Sequence, residues 1–182
     1  GEHNLLNAEA ARLVCKNLGI NTIDFYTYLG SFKGAARRLE LVGKNENASF
    51  FKDFAHSPSK LQATIHAVRA QFPDRKLVAC IELHTFSSLD RNFLAQYSGT
   101  MDEADTAIVF IDRKTFEHKK MTPYGAETVK MAFSREDILF FNESEELKKY
   151  LENINMKNKN LLMMSSGNFG GIDLKSLCVK IL

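Results

Sequence analysis

Two arginines in succession, Arg37 and Arg38, stand in the run Phe32-Lys33-Gly34-Ala35-Ala36-Arg37-Arg38-Leu39-Glu40. An acid, an aromatic and a histidine follow in Lys52-Asp53-Phe54-Ala55-His56-Ser57-Pro58. A guanidinium presents a planar fork of N–H donors that matches phosphate oxygens. A carboxylate at a strand end can accept hydrogen bonds from ribose hydroxyls. An aromatic ring can stack on a base, and a histidine can orient or deprotonate an amine. Singly, each has a plainer reading: a solvated arginine at a strand edge, Asp53 in a turn, Phe54 in the core, His56 at a helix start. Together, in this order, they suit the handling of a nucleoside triphosphate and a carboxylate.

Three further runs carry polar groups. Residues Gly1-Glu2-His3-Asn4-Leu5-Leu6-Asn7 open the chain, and as a plain helix start their Asn and His would serve as caps. Glu82-Leu83-His84-Thr85-Phe86-Ser87-Ser88 follows a strand and precedes a helix, where substrate contacts are expected. Ser165-Ser166-Gly167-Asn168-Phe169-Gly170-Gly171 joins the last strand to the last helix. Its glycines allow close backbone approach to a ligand, and a tight turn explains them equally well. No Lys-Ser/Thr pair follows these glycines, and no G-x-x-x-x-G-K-[ST] occurs anywhere in the chain. His66 is expected at a surface or boundary, and His118, beside Lys119-Lys120, in solvent. No His, Cys and acid group has metal-ligand spacing. No Gly-x-Ser-x-Gly or Cys/His constellation points to hydrolysis.

The elements that must position these groups follow from periodicity. Helices are expected over about 3–18, ended by Gly19, and over 22–30, capped by Thr22. Arg38–Val42 and Ser49–Asp53 read as strands around a polar turn. Ser57 suits an N-cap and Pro58 the first helical position, ahead of a buried stripe of Leu61, Ile65, Val68 and Phe72. Strands at Lys76–Glu82, Thr106–Ile111, Ile138–Phe141 and Asn160–Ser165 then alternate with helices. One helix carries Leu89, Phe93, Leu94 and Tyr97, one has a capping box of Asn142 and Glu145, and the last runs from Asp173. The stretch 112–137 reads as a long connection with one short helix near Ala126–Met131. Apolar strands alternating with amphipathic helices predict an α/β fold, a mostly parallel sheet with helices on both faces. Ligands of such sheets gather beyond the carboxyl ends of the strands, here at Leu83–Ser88, Asp112–Lys114 and Ser166–Gly171.

The chain has 182 residues, 45% of them apolar, enough for one domain or one domain and a short piece of another. A net charge of +2, with both signs interspersed, gives no reason to expect a nucleic-acid or membrane partner. Cys15, Cys80 and Cys178 are odd in number and set among apolar neighbours, which predicts reduced, buried thiols and a cytoplasmic protein. A start at Gly1 without an initiator Met reads as a piece of a longer protein.

The Arg37-Arg38 run, the Asp53-Phe54-Ala55-His56-Ser57-Pro58 run and the opening Gly-x-His-Asn-x-x-Asn resemble the Mur ligases. These ATP-dependent enzymes add amino acids or peptides to UDP-N-acetylmuramate in bacterial peptidoglycan assembly. The resemblance implies that residues 1–31 are the last helices of the family's central ATP-binding domain and 32–182 its Rossmann-like C-terminal domain. It places His3, Asn4 and Asn7 at the adenine, Arg38 and more weakly Arg37 at the ATP phosphates, and Asp53 and Phe54 at the nucleoside. It implies catalytic roles for Arg38 and His56, and substrate contacts for His56, His84, Thr85 and Ser88. ATP and Mg2+ are implied, with the P-loop and magnesium ligands in the central domain, and no ligase activity is expected of this chain alone. At Thr85 and Ser88 the alanine-adding branch carries arginines for the amino-acid carboxylate, and the murein tripeptide-adding branch carries one near His84. This chain departs from both, leaving Arg91 as the nearest cation. Phe32–Glu40 and the Phe-Gly-Gly turn lean to the tripeptide branch, and His84 to the alanine branch. A non-catalytic nucleotide-sensing or protein-interaction module is the alternative.

Overall fold

The computed structural model describes residues 2–32 and 38–182, with side chains from Asn4 onward. Arg37 and the rest of 33–37 lie outside the described residues, as does the side chain of His3.

Helices α1 (Glu2–Asn17) and α2 (Thr22–Ser31) come first. Gly19 ends α1 at φ +87°, as expected of a left-handed stop. The cap of α2 is Asn21 and not Thr22: its Oδ1 accepts the Asp24 N–H at 2.9 Å. Neither helix has a buried residue among its described side chains. Leu6, Leu18, Ile23 and Tyr28 are all exposed.

The sheet follows, with strands β1 (Glu40–Lys44), β2 (Ala48–Asp53), β3 (Lys76–Glu82), β4 (Thr106–Phe110), β5 (Leu139–Phe141) and β6 (Lys159–Met164). Their order is β1-β2-β6-β3-β4-β5. Only the β1–β2 hairpin is antiparallel among the described pairings. Its turn is fixed by Asn45, whose Oδ1 accepts the N–H groups of Asn47 and Ala48, both at 2.8 Å.

Side chains alternate between two cores, as a twofold repeat requires. Leu77, Ala79 and Ile81 of β3 meet Leu61, Ile65 and Val68 of α3 (Pro58–Gln71) in one core. Val78 and Cys80 face the other, which holds Leu147 and Leu151 of α8 (Ser144–Glu152) and Leu177 of α9 (Leu174–Ile181). Both faces of the sheet are therefore covered, and the expected α/β architecture is present.

Several local expectations are corrected. Ser57 occupies the cap of α3 but its side chain makes no capping bond. The stretch 86–97 is not one helix: α4 (Phe86–Leu89) stops where Asp90 caps a new turn, α5 (Arg91–Leu94), by accepting the Asn92 N–H at 2.7 Å. The segment after β4 holds α6 (Arg113–Lys119) as well as α7 (Ala126–Phe133). Asn142 and Glu145 form no capping box, because α8 starts after Glu143 and the Asn142 carbonyl accepts from Arg113 N–H. Cys80 and Cys178 are buried free thiols, while Cys15 is only half-buried. Burial, and behind it the charge of Glu82, pushes the Cys80 thiol well above its ordinary range.

Candidate functional site

Asp53 closes β2, where the chain leaves the sheet for α3. Its Oδ1 accepts the Ala55 N–H and its Oδ2 the Leu39 N–H, both at 2.6 Å. The second bond reaches back across the hairpin and clips Leu39, whose φ of +45° is a strained left-handed value for a branched residue. Arg38, next to that clip, is exposed. The two separate runs are thus joined by one hydrogen bond, from the backbone N–H of Leu39, the residue after Arg38, to the Asp53 carboxylate.

A cavity of about 300 Å³ opens beside this junction. Arg38, Asp53 and Phe54 line it together with Asn4 and Asn7 of α1. From α3 come the small side chains of Ala63, Thr64 and Ala67, with Lys60 beside them. The predicted adenine and nucleoside residues that are described therefore share one cavity. Lys60 and the small alanines were not singled out from sequence, although their helical spacing opposite Leu61 and Ile65 is the signal that would have found them.

His56 stands one turn away. Its Nδ1 lies 2.8 Å from the Phe54 carbonyl, which can only accept. Nδ1 therefore carries the hydrogen, and in the neutral ring Nε2 holds the lone pair. The Phe54 and His56 rings meet edge to face with centroids 5.1 Å apart. Phe54 is 40% exposed, so its ring is open to a partner and is not core.

His84, Thr85 and Ser88 lie at the end of β3, outside that cavity. Thr85 and Ser88 form a reciprocal capping box for α4. Ser88 Oγ donates 3.0 Å to the Thr85 carbonyl and is fully buried. These hydroxyls hold the loop itself. Arg91 does not substitute for the missing arginines: it donates 3.0 Å to the Pro123 carbonyl and lies over the Tyr124 ring at 5.9 Å. His66 is exposed and paired with Glu103 at 3.0 Å, and His118 is exposed on α6.

Beneath His84 is a residue that sequence reading passed over as a strand end. Glu82 is 2% exposed, and its carboxylate accepts the Ser165 hydroxyl and, at 2.9 Å, the Phe169 N–H. It anchors the glycine-rich loop after β6. Among the described residues no group of three His, Cys, Asp or Glu could hold a metal ion. Among the same residues no helix is long and apolar enough to cross a membrane.

Comparison with known proteins gives the family and the fold. The family model described as Mur ligase, glutamate ligase domain, matches residues 37–167. A UDP-N-acetylmuramate–L-alanine ligase of Desulfitobacterium hafniense is 26% identical over 180 residues, covering 98% of this chain and 40% of the relative. A murein peptide ligase structure from Psychrobacter arcticus superposes on 100% of the chain and 37% of its own, with TM-score 0.71 and 24% identity. A single domain attributed to a UDP-N-acetylmuramate:L-alanyl-γ-D-glutamyl-meso-diaminopimelate ligase of Haemophilus ducreyi covers 78% of this chain and 98% of its own, at 27% identity and TM-score 0.56. The chain thus spans about two fifths of the length of the curated relatives that it matches nearly end to end. With the matched model spanning most of the sheet and the superposition extending over the two leading helices, the chain belongs to the Mur ligase family and carries its glutamate ligase domain.

Proposed function

We propose that this chain is the C-terminal, nucleotide- and substrate-contacting part of an ATP-dependent, cytoplasmic UDP-N-acetylmuramate–amino acid or peptide ligase of peptidoglycan synthesis or recycling. The observation that carries the reading is convergence. Asn4, Asn7, Arg38, Asp53 and Phe54 are scattered over fifty residues of sequence, yet line one cavity. Its apolar wall suits a purine, its asparagines suit base edges, and Arg38 and Lys60 suit phosphate oxygens.

In the intact enzyme the reaction class is amide formation through an acyl phosphate. The muramyl carboxylate is phosphorylated at the expense of ATP, the incoming amine attacks the acyl carbon, and phosphate leaves. Arg38 contributes fixed positive charge to the phosphates. Asp53 accepts from the ribose and fixes Arg38 through Leu39. His56 Nε2 accepts a hydrogen from the amine, with the ring held by the Phe54 carbonyl. Holding reactants in this geometry supplies much of the rate of such reactions. Magnesium and the P-loop belong, in this proposal, to the part of the protein that precedes residue 1. Residues 1–31 then belong to that central domain, and 32–182 form the C-terminal domain. The start of the family match at residue 37 and the exposed apolar side chains of α1 and α2 support that division.

The deciding experiment is phosphate release by the full-length parent with ATP and UDP-N-acetylmuramate, offering L-alanine and L-alanyl-γ-D-glutamyl-meso-diaminopimelate separately. Release with one of them is expected, and none from the 182-residue chain alone. Release with neither, together with no nucleotide binding, would favour a non-catalytic module.

A further inference from the structure

Strand β1 ends the six-stranded sheet, and among the described residues its other edge pairs with no strand. An unpaired edge offers a row of N–H and C=O groups to another chain. The register shifts between Leu41 and Gly43, so Val42 is the extra residue of a bulge. Helix α9 packs against this bulge. A Cβ at Gly43 would lie 2.5 Å from Cys178 Sγ, so the helix comes this close only because residue 43 has no side chain. Asn45 Nδ2 donates 2.9 Å to the Leu182 carbonyl and ties the end of α9 to the hairpin turn.

A groove of about 470 Å³ lies between β1 and α9. Leu41 and Val179 line it and are 45% and 85% exposed. The half-buried Val42 and Leu182 continue the apolar lining. Lysines stand at both ends. Lys52 pairs with Glu40 across the hairpin at the start of β1, and Lys44 closes the strand. Lys175 joins from the first turn of α9, the end away from Leu182.

These cations are not neutralised from within. Glu40 is the one acidic side chain among the described residues of the groove, and Lys52 holds it at 3.1 Å. Asp173 serves the start of α9, where it accepts from the Lys175 N–H and the Ser176 hydroxyl. Among the described residues neither Lys44 nor Lys175 has a salt-bridge partner.

Charge and shape together select the occupant. Lysines and a bulge on an edge strand act against pairing with its own kind, and like charges set opposite each other destabilise a strand pair. A second copy of β1 would bring its lysines to these ones. A partner strand with apolar residues in the middle and carboxylates at both ends complements the floor and the ends of the groove. Main-chain pairing supplies affinity in such strand addition, and the side chains supply specificity. The five residues of β1 span about 16 Å at about 3.3 Å each, room for a segment of similar length.

We propose that the groove between β1 and α9 docks an extended, acidic segment of a partner protein, added as a strand at the free edge of β1. Its apolar side chains cover Leu41 and Val179, and its carboxylates meet Lys44 and Lys175. This goes beyond the ligase reading and does not depend on it.

The test titrates the 182-residue chain with two capped heptapeptides. One is Glu-Glu-Val-Leu-Val-Glu-Glu, and the other has lysine in place of each glutamate. The glutamate peptide is expected to shift the main-chain amide resonances of β1 and of Val179 saturably. The lysine peptide should bind at least about tenfold more weakly. Lys44→Glu together with Lys175→Glu, both at exposed side chains, should reverse that preference. Val179→Asp should weaken the glutamate peptide by about tenfold or more, since it places a like charge on the apolar floor. No saturable shift at β1, equal affinity for the two peptides, or a preference that the double reversal leaves in place overturns the proposal. So does a dimer of the chain that V179D dissociates, which would make a second copy the occupant. Binding to phosphatidylglycerol vesicles in place of the peptide would assign the groove to a membrane. A melting temperature that V179D lowers in the full-length parent and not in this chain would show the groove covered by the rest of the protein. Either result also overturns it.

Discussion

The Tyr97 hydroxyl donates a 2.7 Å hydrogen bond to the main-chain carbonyl of His56, 41 residues earlier. Tyr97 is fully buried and stacks on Phe133 with ring centroids 5.1 Å apart. Its position is set by the core, so the bond transmits that rigidity to the segment between β2 and α3 that carries Phe54 and His56. The histidine proposed to meet the amine is thus held at both ends, by Tyr97 through its carbonyl and by the Phe54 carbonyl through its ring.

Tyr97→Phe keeps the stacked ring and removes the donor. Stability should fall by about 1–2 kcal/mol, the cost of leaving a partly buried carbonyl unpaired. Chemical denaturation of the chain measures this directly. In the proposed full-length ligase kcat should fall more than nucleotide affinity, since the bond that is lost is at His56 itself.

Burial pushes the phenols of Tyr97 and Tyr124 well above the ordinary value of 10.0. A raised pKa means that the folded state keeps protons which the unfolded chain has lost. The stabilisation is fully present below about pH 10 and declines as pH rises beyond it. Denaturation midpoints should therefore drop above that pH, and by less in Tyr97→Phe.

Arg38 is exposed and Asp53 makes two backbone bonds, so their variants should differ in kind. Arg38→Ala should lower ATP affinity by about tenfold to a hundredfold, as for a charge-assisted hydrogen bond, and leave the melting temperature unchanged. Asp53→Ala should lower both, because Leu39 loses the bond that holds its left-handed backbone. Calorimetric titration and thermal unfolding separate the two effects. Equal behaviour of the two variants would refute the clip from Asp53 to Leu39.

Removing residues 1–31 should leave the unfolding transition of the remainder nearly unchanged, since α1 and α2 bury no described side chain against it. The same truncation should weaken nucleotide binding, because Asn4 and Asn7 leave the cavity. Ile23→Asp, at a side chain 79% exposed, should not destabilise the chain but should weaken its fit to the rest of the protein.

Gly167→Ala should cost about 1–3 kcal/mol, as for an overpacked site, because its Cβ would press on the anchored Glu82 carboxylate at 2.7 Å. A melting temperature equal to that of the parent would show that Glu82 is free to move, against the bonds described here.

How much of this was legible beforehand depends on the reach of each interaction. The β3 strand has the bounds expected of it, Lys76–Glu82, because a short apolar run is a strand signal written in the local sequence. The helix expected across Leu89–Tyr97 was wrong, because Asp90 and Thr85 cap locally and a cap overrides a weak apolar stripe. The second helix between 112 and 137 was missed because α6 has only seven residues, too few for periodicity to stand out. Thr85 and Ser88 are substrate contacts by resemblance, and only the structure adds that they cap α4 reciprocally, a pairing that their spacing alone does not distinguish.

By itself the sequence determined the alternation of strands and helices, the sign and type of the chemical groups, and the order of motifs that marks the family. Those properties are local: they depend on spacing along the chain and on side-chain chemistry. Tertiary structure alone decided which groups meet. It brought Asn4 and Asn7 to Arg38, bound Asp53 to Leu39, and set Gly167 against His84 and Glu82. Each of those contacts depends on strand order and register, and parallel strands bring together residues that no spacing rule relates.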